Sequence, residues 1–245
     1  MPTTVTPVDE TSPAFRAATS PAAAAFFPTA DAEAEFDRQL QAYIELGFPD
    51  LTGRTTQEFR AALAPLSAQV RGIDVAAPGQ AGSDTGDYVP FVVVLGPDLY
   101  DVNDAVPAMR RGTARGVSVI GRDEAAAYGP IDGVEVPTGF AYVLRDIDTG
   151  SEFCGVRPEE ALTTVTGRDR TPLTIGEGVA LVIVRPDILR PNKCFSLMAS
   201  RAGNQRVPAI WISERRPKLG WCWNRNPHPW LGAASAAERG PVAGS

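Results

Sequence analysis

The chain has 245 residues, 44% of them hydrophobic and 21% charged, with 23 Gly, 22 Pro and a formal net charge of −6. This balance suits a chain that buries a sizeable core in one or two domains, and it excludes collagen, a coiled coil and a wholly disordered protein. The charge is unevenly divided. Residues 1–187 carry 14 Lys and Arg against 27 Asp and Glu, a net of −13, whereas residues 188–230 carry eight basic residues against Glu214 alone, a net of +7. Such a split points to an interaction surface, or to a basic segment that pairs with the acidic remainder of the same molecule.

Residues 1–30 are rich in Pro, Thr, Ala and Ser and predict a mobile tail, with Phe26-Phe27 as its one sticky element. From Asp31 onward Phe36, Leu40, Tyr43, Ile44 and Leu46 recur at helical spacing, and Gly47 marks the stop. Thr55 and Glu58 form a capping-box pair at the head of a second helix carrying Phe59, Leu63 and Leu66.

The β-branched run at 88–95 predicts a strand buried on both faces. Shorter strands are expected at 116–120 and 140–144, the latter running into a polar turn at 146–150. Thr171-Pro172-Leu173-Thr174 reads as a helix entry, followed by an apolar segment over 175–184 that Pro186 ends. Runs at 194–199, 207–213 and 221–224, separated by polar loops at 201–206 and 214–220, predict an antiparallel meander. The expected fold is a single α+β domain over residues 31–232. Its N-terminal helices pack on a mixed or antiparallel sheet, it ends in a C-terminal strand meander, and mobile tails cover 1–30 and 233–245.

No apolar run approaches the roughly eighteen residues that a membrane span requires, and residues 22–27 are too short for a signal h-region. Cys154, Cys194 and Cys222 include no CxxC pair and read as reduced thiols, so a cytoplasmic location is expected. Together with His228 they are the right residue types for zinc but lack the tight spacing of compact sites, so no metal site is expected. There is no GxGxxG and no GxxxxGK[ST], so nucleotide binding of the Rossmann or P-loop kind is not supported, and the sequence names no cofactor either way.

The segment 206–230 holds all four tryptophans, Trp211, Trp221, Trp223 and Trp230, and the only histidine. On a strand, Trp221 and Trp223 project from one face and Cys222 from the other. Paired aromatics beside Arg215, Arg216, Lys218 and Arg225 suit a stacking platform for a flat or phosphorylated ligand. The competing reading buries the tryptophans as anchors of the meander. Residues 224–230 are too proline-rich for helix or inner strand and predict a rigid loop presenting Asn226 and His228.

Several of these stretches carry a resemblance. Thr171-Pro-Leu-Thr-Ile, Lys193-Cys-Phe-Ser-Leu, Arg206-Val-Pro-Ala-Ile-Trp-Ile-Ser, Pro217-Lys-Leu-Gly-Trp-Cys-Trp and Asn226-Pro-His-Pro-Trp-Leu-Gly232 resemble a family of actinobacterial proteins catalogued as a domain of unknown function. Glu35-Phe-Asp-Arg-Gln39, Pro90-Phe-Val-Val-Val and Asp132-Gly-Val-Glu-Val-Pro137 extend the resemblance over about residues 33–235. It implies that the Trp-rich end is a family feature and supplies no reaction or ligand.

The resulting expectation is a cytoplasmic binding or adaptor module whose anionic or aromatic ligand contacts Arg215, Arg216, Lys218, Trp221, Trp223, Asn226 and His228. Its partner is a small molecule or a protein, with nucleic acid less supported and no membrane. The alternative is a small hydrolase or transferase with His228 as acid/base, Lys218 or Arg216 stabilising an anion, and Cys222 as a less favoured nucleophile.

Overall fold

A computed structural model of the chain describes residues 4–7, 9–18, 31–75, 86–241 and 243. The first element, helix α1 (Pro13–Ala17), corrects the expected N-terminal tail over the described part of it. Ala14 and Ala18 are buried, the Thr6 N–H donates to the Ser118 carbonyl at 2.7 Å, and the Ser12 hydroxyl donates to the Asp104 carbonyl at 3.3 Å. Small side chains give no apolar periodicity, yet they allow close contact with the body. The Phe26-Phe27 pair lies outside the described residues.

Helix α2 (Ala32–Glu45) starts where Asp31 accepts the Ala34 N–H at 2.8 Å, and it buries Phe36, Leu40 and Tyr43 as the spacing predicts. Gly47 follows at φ 78°, where a Cβ would come within 2.9 Å of the Pro13 carbonyl oxygen, so α1 can lie directly on this turn. Short helix α3 (Phe48–Leu51), helix α4 (Thr56–Leu63) and the single turn α5 (Ser67–Val70) complete the N-terminal layer. The Thr55–Glu58 capping box forms in full at the head of α4.

Strand β1 (Tyr88–Leu95) is the edge of the first sheet, and α2 covers it. Gln39 accepts the Val93 N–H at 2.9 Å and donates to the Phe91 carbonyl at 3.1 Å, while the Tyr43 hydroxyl donates to the Val93 carbonyl at 2.7 Å. Two side chains thus replace a missing neighbouring strand. Past β1 come α6 (Val102–Ala105), the small hairpin of β2 (Arg110–Arg111) and β3 (Ala114–Arg115), β4 (Val117–Ser118), α7 (Arg122–Ala126) and β5 (Gly129–Pro130).

Strand β6 (Ala141–Asp148) pairs antiparallel along the length of β1, from Tyr88 opposite Asp148 to Leu95 opposite Ala141, with the register interrupted at Pro90 and Asp146. It therefore extends through residues expected to form a polar turn, with Asp146 at φ 51° accommodating the irregularity. Helix α8 (Pro158–Gly167) was not anticipated from sequence because Thr163, Thr164 and Thr166 weaken its helical signal. In the fold their hydroxyls bond back to the carbonyls of Glu159, Glu160 and Leu162.

After β7 (Thr171–Pro172), helix α9 (Ile175–Val184) is capped by a Thr174–Glu177 box and buries every residue except Gly176. It contacts both β1 and the second sheet, which explains an apolar surface on all sides. That second sheet contains β8 (Cys194–Ser196), β10 (Arg206–Ser213), β11 (Arg216–Trp223) and β12 (Leu231–Ala233), in the order β12-β8-β10-β11-β4; β9 (Ser200–Arg201) pairs separately with β5. β8, β10 and β11 are antiparallel as expected, whereas β12 and β4 join in parallel at the two edges.

The expected loop at 214–220 shrinks to Glu214-Arg215, both at positive φ as a primed hairpin turn requires. The charged run Arg216-Pro217-Lys218 is therefore strand. The expected C-terminal tail is also overturned. Residues after Gly232 form β13 (Ser235–Ala236) and β14 (Glu238–Arg239), which pair with β6 in the first sheet, and Ala233, Ala234, Ala236 and Ala243 are buried. Alanine and glycine fit the narrow space there, and a Cβ on Gly232 would overlap the Gly150 backbone. Among the described residues no helix is long and apolar enough to cross a membrane.

Candidate functional site

The residues singled out from sequence fall into three places. Arg215 occupies the β10–β11 turn and Arg216 opens β11, whereas Trp223 closes it, seven residues or about 23 Å further along at strand rise. Lys218 is buried in mid-sheet, opposite Trp211 on one side and Val117 on the other. Basic and aromatic members thus do not form one platform.

The tryptophans also divide between the faces of the sheet. Trp221 and Trp223 meet edge to face at 5.0 Å, with the Arg206 guanidinium 4.2 Å over the Trp221 ring. Trp221 is buried and Trp223 is 46% exposed. Trp211 shares the opposite face with Lys218 and Gly220, and its ring packs on Gly220, where a Cβ would overlap it. Trp211 also lies 6.4 Å from Trp230, against which His228 packs at 5.1 Å. His228 and Asn226 border a void of only about 10 Å³. Burial lowers the His228 pKa, and its ring has no polar partner among the described residues.

The basic segment is partly matched by the acidic body. Arg190 pairs with Asp87, Arg206 with Glu124 at 2.6 Å and Arg225 with Glu159 at 3.2 Å. Arg215, Arg216 and Lys218 have no carboxylate partner among the described residues.

A larger concavity opens elsewhere, a cavity of about 400 Å³ where β1 ends and α9 begins. The turn at Gly96, Pro97 and Asp98 forms one wall, α6 and α7 a second, and the first turn of α9 with Ser200 a third. Tyr100, Tyr128 and Tyr142 line it with Asp98, Asp101 and Glu177, and no Lys, Arg or His does. Burial, with the Glu124 charge second, pushes the Tyr128 phenol up to about 12; Tyr100 and Tyr142 are raised further, so all three are protonated donors at neutral pH.

The polar groups at the head of α9 are committed. Ser200 Oγ accepts the Ile175 N–H at 3.0 Å, and Thr174 Oγ1 accepts the Glu177 N–H at 3.3 Å. Glu177 accepts from the Thr174 N–H at 2.7 Å, from the Tyr142 hydroxyl at 2.8 Å and from Arg239 at 2.6 and 2.8 Å. Arg239 also donates to Thr171 Oγ1 and, at 2.9 Å, to the Pro172 carbonyl. The Thr174–Glu177 spacing was visible in the sequence, but nothing there linked it to Tyr142 or Arg239.

The three cysteines are unpaired, and burial raises all their pKa values, to about 11 for Cys194 and about 12 for Cys222. A buried, neutral Cys222 thiol does not suit a nucleophile. Among the described residues no group of three or more His, Cys, Asp or Glu is placed to hold a metal ion.

No curated protein and no solved structure matches the chain. A family model does, over residues 42–242, which takes in every strand of both sheets, the cavity and the Trp-rich segment. On that match the chain belongs to the family of unknown function DUF5701.

Proposed function

We propose that the protein is a cytoplasmic binding module whose ligand is a small neutral or cationic organic molecule held in the cavity at the head of α9. The observation that carries this reading is the composition of the cavity wall, three tyrosines and three carboxylates without a basic side chain. Asp101 is matched by Arg122 at 3.0 Å and Glu177 by Arg239, while Asp98 has no ion-pair partner among the described residues. The site therefore carries residual negative charge, and tyrosine rings add attraction for an ammonium group. A volume of about 400 Å³ is within the range of small-molecule sites.

Binding is favoured over catalysis because the lining offers no thiol or imidazole and the oxygens of Thr174, Glu177 and Ser200 already accept hydrogen bonds. The anionic or aromatic ligand expected of the Trp-rich segment has less support, since Arg215 and Arg216 stand at the opposite end of the strand from the exposed Trp223, and Arg206 and Arg225 beside it are already paired with Glu124 and Glu159. The hydrolase or transferase alternative depends on His228, which borders almost no free volume. The unpaired thiols favour a cytoplasmic setting, and an actinobacterial source belongs to the same proposal. Backbone amide shifts during titration with small organic amines and neutral polar analogues test it. Perturbations centred on Gly96, Tyr100, Gly176 and Ser200 support the reading, and no perturbation there across the panel rejects it.

A further inference from the structure

A second cavity, about 330 Å³, lies between the β2–β3 hairpin and the turn at residues 186–191. Its wall includes Arg110, Arg111 and Arg190, with Asp187 the one carboxylate. Asp187 is held by Arg185 through two bonds, at 3.0 and 2.9 Å, and Arg190 is paired with Asp87. Arg111 is exposed and adds its charge at the rim.

Arg110 is the unusual member. It is only 5% exposed, its Nε makes a long 3.3 Å bond to the Ala108 carbonyl, and its Nη1 is sealed from solvent without a partner. No carboxylate pairs with it among the described residues. Burial, partly offset by the charge of Glu45 at the end of α2, pushes its pKa down to about 10, which still leaves it charged at neutral pH. A buried guanidinium with unused donors is costly unless an acceptor is supplied. The same region holds another: Arg216 has a buried Nε without a partner, and β11 packs on the hairpin. Since β3 leads straight into β4, which pairs with Lys218 and Leu219, the hairpin lies beside the Arg216 end of β11.

We infer that this cavity binds a phosphate group, free or at the end of a small phosphomonoester, with Arg110 as its buried ligand and Arg111 at the entrance. A tetrahedral oxyanion offers an acceptor to Nη2, the Arg110 nitrogen that is neither hydrogen-bonded nor sealed from solvent. Pro186 and Pro191 stiffen one wall, which reduces the ordering needed on binding.

Calorimetric and thermal-melt titrations of the full chain with inorganic phosphate and with glycerol 3-phosphate, against sodium chloride at equal ionic strength, test the inference. Saturable binding of either is expected, and a preference between them identifies the source of the phosphate. Arg110→Gln is expected to weaken binding about tenfold or more without lowering the phosphate-free melting temperature, because it removes an unpaired buried charge. Arg111→Gln, on an exposed side chain, is expected to weaken binding about threefold with the melting temperature unchanged. No signal beyond the chloride control overturns the site, as does wild-type affinity in both variants. Should Arg110→Gln not fold, wild-type affinity in Arg111→Gln decides against it.

Discussion

Glu177 and Arg239, 62 residues apart in sequence, face each other where solvent barely reaches: their side chains are 0% and 6% exposed, and Arg239 Nε lies 2.6 Å from Glu177 Oε1. The pair ties the last strand of the chain to the head of the central helix, and through Tyr142 to β6. Removing one partner leaves a buried charge without compensation. Arg239→Met is expected to cost about 3–5 kcal/mol in urea unfolding, and Glu177→Gln/Arg239→Met together less than the sum of the two single changes. Additive losses would show that the two side chains act independently.

Gln39 protects the open edge of β1 by serving both Val93 N–H and Phe91 C=O. Gln39→Leu keeps the volume but leaves two backbone groups without partners under a buried helix. The expected loss is about 1–3 kcal/mol, accompanied by faster amide exchange at Val93. Unchanged protection at Val93 would mean that another group takes over.

These two pairs show where sequence reading succeeds and where it stops. Helix α4 and helix α9 were legible because a capping box and a change in periodicity are local signals, contained within a few residues. So was the antiparallel pairing of β8, β10 and β11. The C-terminal strands were not, because Ala233, Ala234 and Ala236 contribute little hydrophobic signal and earn their place through fit between other elements. The cavity was equally hidden. Tyr100, Tyr142 and Glu177 are brought together by the β1–β6 register and the angle at which α9 enters, and neither leaves a mark at any one position. The Trp-rich cluster misled in the opposite way: proximity in sequence along β11 became separation in space and between faces.

His228 offers a pH test because it is the only imidazole in the chain. Burial lowers its folded-state pKa below the ordinary value of 6.5, so the neutral ring is favoured in the fold. The unfolded chain then takes up a proton first as pH falls. Stability is full above about pH 6.5 and declines as pH drops through the folded-state value. A proton NMR titration of the ring is expected to give a midpoint below 6.5, and His228→Ala to remove that part of the acid sensitivity. A midpoint at or above 6.5 would contradict the half-buried packing against Trp230.

Thiol accessibility provides a check on both sheets. Cys194 and Cys222 are buried, with pKa values raised to about 11 and about 12, while Cys154 is half-buried. Reaction of the native protein with a thiol reagent at pH 8 is expected to modify Cys154 slowly and alone, and all three cysteines only after unfolding. Rapid native modification of Cys222 would place it outside the core.

The ligand proposed for the cavity at the head of α9 is a small neutral or cationic molecule. The most direct measurement compares the affinity of the best amine from the titration panel for the wild type, Asp98→Asn and Ala126→Trp. Ala126 is exposed at the cavity wall, so a tryptophan there fills the space without entering the core. Binding is expected to be severalfold weaker in Asp98→Asn and absent in Ala126→Trp, with melting temperatures close to wild type. Undiminished binding in Ala126→Trp would contradict binding in this cavity.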